Sequence, residues 1–273
     1  NPSPQSYRIP RGFTYEEHQE HCLEKIEKTL SKNDNIAAFV MESGAQIAGG
    51  VTIYPLGFQK EISKMCKKYD TLFVLDEIAT GFGRLGHMIE YQHQESIPDI
   101  VSFGKMLTGG YLPLAATLVS KKVYEAFLGS VGQMKHFFHG HTFTGNPLAC
   151  ATAITNLTLY KKYNLISKVK KTATHISKRI DEIARLDLVG DVRHKGMLVG
   201  IELVSNKKNK TSLGPHTHIS QRIFNEAKKH KLYLRTLGHI VLLMPPLAIS
   251  QNEIDFLVDG TIDTIKRVTK TML

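Results

Sequence analysis

The sequence predicts an α/β fold built on a mostly parallel sheet, followed by a smaller α+β unit. Helical and short apolar stretches alternate along the chain, the pattern of layered α/β proteins. Residues 36–76 read as strand, helix, strand, the order of a right-handed parallel crossover. Beyond about Tyr160 the pattern changes to a basic helix and then shorter strands and helices. The expected division is therefore 1–160 and 161–273, across a connection that is neither Pro- nor Gly-rich.

Each element has a local reason. Thr14 and Glu17 form a capping box for a helix running to about Ser31, with Cys22, Leu23, Ile26 and Leu30 along its apolar side. Residues 36–41 read as a buried strand, and residues 55–69 as a helix with Phe58, Ile62, Met65 and Cys66 inward. The apolar run 72–75 is the next strand. Glu42 and Asp76 then fall at carboxyl ends of strands, where open α/β sheets bind their ligands. Residues 115–119 follow as a strand and 146–160 as a helix. The helix starts at Asn146-Pro147, since proline is tolerated where the N–H has no intrahelical partner. The second unit reads as a basic helix, a strand at 197–204, a helix at 218–230, a strand at 240–243 and a helix from Glu253.

Composition narrows the function. With 273 residues, 42% of them hydrophobic, the chain can bury a substantial core. The 35 Lys and Arg against 25 Asp and Glu give a formal charge of +10. The basic residues concentrate in 161–179, where Leu165, Ile166, Val169 and Ile176 recur at helical spacing, as on a solvated amphipathic helix. No nucleic-acid-binding module accompanies them, so no nucleic-acid partner is expected. No apolar run approaches the roughly 20 residues that cross a bilayer, and no signal segment opens the chain. No membrane partner and a cytoplasmic location are expected. Cys22, Cys66 and Cys150 lack disulfide or metal spacing and read as reduced structural thiols. His136, His139 and His141 have no carboxylate or cysteine at ligand spacing, so no metal is expected there.

Asp76 ends an apolar strand, and Lys105 follows 29 residues later in Gly104-Lys105. Pyridoxal phosphate chemistry needs such a pair: a lysine to hold the cofactor aldehyde and a carboxylate to keep the pyridine nitrogen protonated. The flanks are Asp76-Glu77-Ile78-Ala79-Thr80-Gly81-Phe82-Gly83-Arg84 and Pro98-Asp99-Ile100-Val101-Ser102-Phe103-Gly104-Lys105. Further on come Phe137-Phe138-His139-Gly140-His141-Thr142-Phe143-Thr144-Gly145-Asn146-Pro147 and Leu243-Met244-Pro245-Pro246. With these stretches the chain resembles class III aminotransferases of the fold-type I pyridoxal phosphate superfamily. The likeness runs along essentially the whole chain and is sharpest over 38–147. Within the class, three stretches, Asp76 to Arg84, Phe137 to Cys150 and Leu243 to Pro246, look most like the biotin-pathway branch, which converts 7-keto-8-aminopelargonate to 7,8-diaminopelargonate.

The resemblance implies the roles. Lys105 would hold pyridoxal 5'-phosphate and, once displaced by substrate, act as the base. Asp76 would partner the pyridine nitrogen, Ile78 would press on one ring face, and Glu42 would lie near the cofactor. Gly140, His141 and Thr142 would approach the phosphate or substrate across a homodimer interface, and Arg235 would grip a substrate carboxylate. Arg84 divides evenly between structural pairing and a site role. Residues 1–160 would then be the C-terminal part of the cofactor-binding large domain and 161–273 the small domain. The phosphate-cradling loop and the ring-stacking aromatic of the family would lie upstream of Asn1, so the chain is expected to be a C-terminal portion. The amino donor would be S-adenosylmethionine or lysine. Another class III transaminase acting on an ω-amine or ornithine-like substrate, and a non-catalytic fragment or pseudoenzyme, stay open beside this reading.

Overall fold

The computed structural model describes residues 3–272. Its first sheet runs in the order Ala38–Glu42, Leu72–Asp76, Ile100–Phe103, Ala116–Val119. The first three strands are parallel and the last is antiparallel. Phe73, Leu75, Val101 and Phe103 bury their side chains in one core with Cys22, Ile26, Ile62 and Cys66 from the two flanking helices. Helix Tyr15–Ser31 begins with the expected capping box: Thr14 Oγ1 accepts from Glu17 N at 3.2 Å, and Thr14 N donates to Glu17 Oε2 at 2.7 Å. Cys22, Ile26 and Leu30 are buried as expected, together with His18.

Two expectations need correction here. The strand expected at 36–41 spans Ala38–Glu42, and it is not buried: Val40 is 66% exposed. It is the edge strand of its sheet among the described residues, so one face and one hydrogen-bonding side lack a covering neighbour. The helix expected from residue 55 starts at Phe58, because Gly57 at φ +93° turns the chain before the first helical hydrogen bond.

The second sheet is antiparallel, in the order Arg235–Leu237, Ile240–Leu243, Leu198–Asn206, Val189–Lys195. Helices Leu165–Ala184, Ile219–Lys229 and Gln251–Lys270 contribute Val169, Ile176, Ile223, Ile254 and Ile265 to its core. The Val189–Lys195 strand was not anticipated from the sequence. Its polar residues hide the period-two signal because Arg193 is buried, pairing with Glu202 at 2.7 Å and lying 3.5 Å from Asp191.

The two sheets meet through their loops. Ala45, Ile47, Val51 and Leu85 pack against Leu198, Ile240 and Leu242 in a second apolar cluster. The Gly196 turn lies so close to the other loop that an added Cβ would stand 2.4 Å from the Leu85 carbonyl carbon. By contrast, no residue from Lys121 to Gly145 is buried, and Phe127, Val131, Met134, Phe137, Phe138 and Phe143 are all exposed. Among the described residues, no helix is long and apolar enough to cross a membrane.

Candidate active site

Backbone register assembles the centre of the site. Glu42 lies opposite Asp76 across one parallel ladder, and Asp76 opposite Ser102 across the next. Three neighbouring strands therefore end side by side, two of them on carboxylates. Asp76 Oδ1 accepts from the Ile78 amide at 2.7 Å, and the Asp76 carbonyl accepts from Ser43 N at 2.9 Å. These bonds fix both the side chain and its strand end. Glu42 Oε2 accepts from Ile47 N at 3.0 Å. Burial pushes the Glu42 carboxyl above its ordinary range; the Ile47 amide opposes the rise, the Asp76 charge adds to it, and the Lys105 amine acts against it. Glu42, Asp76 and Lys105 thus share one electrostatic neighbourhood.

Lys105 enters that neighbourhood from the third strand. Gly104, buried and extended, brings the chain against Ile78: a Cβ at 104 would sit 3.3 Å from Ile78 Cγ2. Lys105 then adopts φ +41°, a left-handed conformation uncommon for a side chain without special local hydrogen bonding. Such conformations cost on the order of 1–3 kcal/mol and persist where the surroundings enforce them, often at functional positions. The Lys105 side chain is exposed at the ends of the strands.

A buried polar layer that sequence reasoning missed lies beneath these groups. Gln59, fully buried, accepts from Gly44 N at 2.9 Å and donates to Ser43 Oγ at 3.2 Å and Ser96 Oγ at 2.8 Å. Glu77, next to Asp76, accepts from Glu90 N at 3.0 Å and Tyr91 N at 2.5 Å. Burial raises the Glu77 carboxyl above its usual range, against the pull of those two amides. The available signal was Gln59 itself, a polar residue on the face of the helix that also carries Phe58 and Ile62.

Arg84 serves as a bracket between the sheets. Buried, it donates through Nη1 to the carbonyls of Met197 at 3.0 Å and Pro245 at 2.7 Å, while Met197 N donates to the Arg84 carbonyl at 2.8 Å. Burial lowers its guanidinium pKa to about 10. Of the two roles weighed for Arg84, these contacts describe the structural one.

The other expected residues stand apart. Arg235 is exposed on the outer strand of the second sheet, opposite Leu242. Gly140, His141 and Thr142 are exposed in the 121–145 segment. His141 bonds only within it: its amide donates to Thr144 Oγ1 at 3.1 Å, its Nδ1 accepts from the Phe143 amide at 3.1 Å, and its carbonyl accepts from Thr144 N at 2.9 Å. No hydrogen bond among the described residues ties any of these four to Asp76 or Lys105.

This chain belongs to the class III aminotransferases: the family model Aminotransferase class-III matches residues 3–265. It is 40% identical over 270 residues to the adenosylmethionine-8-amino-7-oxononanoate aminotransferase of Geobacter sulfurreducens, covering 98% of this chain and 60% of that one. The enzyme of the same name from Staphylococcus aureus is 42% identical over 257 residues, covering 94% and 56%. The crystal structure of its Methanocaldococcus jannaschii namesake aligns with a TM-score of 0.86 at 38% identity, over 90% of this chain and 57% of that one. An amine transaminase from an uncultivated Pseudomonas species, in its PLP-bound form, aligns at 0.90 with 30% identity, over 97% and 61%. The fold is that of the fold-type I transaminases, and the chain spans 56–60% of the length of the first two relatives.

Proposed function

We propose that this chain supplies the lysine-bearing portion of a pyridoxal-phosphate-dependent transaminase that aminates 7-keto-8-aminopelargonate to 7,8-diaminopelargonate. The observation that carries the reading is the meeting of Asp76, Glu42 and the strained Lys105 at adjoining strand ends. The residues present fit the cofactor. A carboxylate oriented by the Ile78 amide suits a protonated ring nitrogen, and Gly104 keeps the backbone beside Ile78 free of a Cβ. When bound, pyridoxal phosphate supplies an electron sink for the carbon that gains or loses the amine.

The protein's own groups do the rest. Asp76 would hold the proton on the ring nitrogen, since an ionised carboxylate favours the cationic form beside it. Ile78 would lie against one ring face, with Glu42 nearby. The Lys105 amine would hold the cofactor through its aldehyde carbon and, once released, carry a proton to or from the substrate carbon. Arg235 would bind the acceptor carboxylate with a planar pair of N–H donors. Residues 1–160 would form part of the cofactor-binding domain and 161–273 the small domain.

The exposed aromatic residues of 121–145 support a homodimer in which Gly140, His141 and Thr142 complete the neighbour's site. Contiguous exposed apolar surface marks an interface more often than a free face. The names of the relatives support 8-amino-7-oxononanoate, the keto acid named above, as acceptor and S-adenosylmethionine as donor, with lysine as the alternative donor. A second reading, transamination of ω-amines, is favoured by the TM-score of 0.90 to the Thermomicrobium roseum omega-transaminase at 33% identity. Assaying the intact protein with the keto acid and each donor, alongside complementation of a biotin auxotroph, separates them. Formation of 7,8-diaminopelargonate is the expected result. Turnover of ω-amines without complementation would overturn the substrate assignment.

A further inference from the structure

Glu90 is fully buried at the joint between the two sheets. Its Oε1 accepts from Lys195 Nζ at 2.6 Å and from Gln94 Nε2 at 2.7 Å. Its Oε2 has no hydrogen bond among the described residues, and neither has His87 Nδ1, 3.7 Å away. Lys195 is thus the lysine on which this buried carboxylate depends. Glu90 also touches the loops that follow both carboxylate-bearing strands. Its amide donates to Glu77, the residue after Asp76. Its side chain fills the space over Gly44, two residues after Glu42, where an added Cβ would stand 2.4 Å from Oε1.

Lys195 ends the outer strand of the second sheet, and Arg235 begins the strand at its opposite edge. Three inter-strand spacings, about 14 Å in all, separate the two edges. A tilt of about 4° pivoting at Lys195 would move the Arg235 strand by about 1 Å, roughly a third of an N–H···O hydrogen-bond length and enough to weaken a guanidinium–carboxylate contact. For stability alone the ion pair is a poor choice, because apolar residues of similar volume often do as well or better than a buried pair. What the pair adds to the Arg84 bracket and the apolar cluster is direction: one ammonium on one carboxylate oxygen orients the sheet edge at Lys195.

We propose that Glu90 and Lys195 are positioning residues that set the distance between the carboxylate-binding Arg235 and the Asp76–Lys105 centre, and so determine how tightly a carboxylate-bearing acceptor is held. This rests on the transaminase reading above and on Arg235 as the acceptor's anchor. The test uses the intact protein loaded with pyridoxal phosphate, comparing the keto acid acceptor with its methyl ester, which cannot engage Arg235 as a carboxylate. In Lys195→Met and in Glu90→Gln the KM for the acid should rise about tenfold, with the KM for the ester and kcat unchanged. Borohydride trapping of the cofactor on Lys105 should be unaffected.

The double variant Glu90→Leu/Lys195→Met leaves neither charge buried alone. Its Tm should recover relative to the single variants while the acid KM stays raised. Recovery of both Tm and KM would overturn the proposal, and so would equal shifts for acid and ester. Equal KM values for acid and ester in the unmodified protein would remove Arg235 from the site, and this role for Glu90 and Lys195 with it.

Discussion

The carboxyl end of the parallel sheet and the 121–145 segment both carry residues expected at the site, yet only the first is held in place by its own chain. Glu42, Asp76 and Ser102 are opposed in register, and buried Gln59 and Glu77 fasten the loops beneath them. Gly140, His141 and Thr142 instead lie on a surface with no buried residue for 25 positions. A side chain placed by a ladder of backbone hydrogen bonds is defined within one chain. One placed on exposed aromatic surface acquires its surroundings from whatever packs there.

Acid should separate the chain's internally held parts from the 121–145 segment most strongly, with the largest effect in the second sheet. Burial alone would raise the Glu202 carboxyl, but His239, Arg8 and Arg193 outweigh it and lower the pKa to about 2, against an ordinary 4.5. A depressed folded-state pKa contributes stability above the unfolded value and loses it as pH falls. The contribution should therefore be complete above pH 4.5 and disappear toward pH 2. The shift corresponds to at most about 3 kcal/mol. Asp191, raised by burial, works in the opposite direction and reduces the net effect. Urea unfolding between pH 5 and pH 3 should show falling stability, with hydrogen exchange quickening in 189–206 and unchanged in 121–145. Glu202→Gln should flatten that pH slope, and an unchanged slope would count against Glu202 and its three cationic partners as its source.

A smaller effect sharpens the same contrast from the other side. Thr142→Ala should leave the Tm within about 0.5 kcal/mol equivalent, as exposed substitutions usually do. Cofactor affinity should nevertheless fall by about 1 kcal/mol if the hydroxyl donates to a bound phosphate. Equilibrium dialysis of pyridoxal phosphate with the intact protein reads this directly. Unaltered affinity would take Thr142 out of the neighbour's site.

Much of the fold was legible because local chemistry and tertiary position agreed. The Thr14 and Glu17 box, the Asn146-Pro147 start and the 240–243 strand all appear where residue type and period place them. Legibility failed where a tertiary partner overrode local pattern. Val189–Lys195 reads as polar, since the groups that neutralise Arg193 include Glu202 from the neighbouring strand. The Glu90–Lys195 pair joins residues 105 positions apart, and no local signal connects them. Within the candidate site, Asp76 and Lys105 stand out in the sequence through their flanks. Arg84 was readable as important without its purpose being so, because its partners are backbone carbonyls that no side-chain pattern reveals.

The central claim is that Lys105, strained at the end of the third parallel strand, is the residue that holds the cofactor beside Asp76. Borohydride reduction of the intact protein with pyridoxal phosphate, followed by peptide mass mapping, tests it most directly. The account predicts a phosphopyridoxyl mass on the peptide containing Lys105 alone, and loss of both label and turnover in Lys105→Ala. A label on any other lysine, or full turnover in Lys105→Ala, would contradict it.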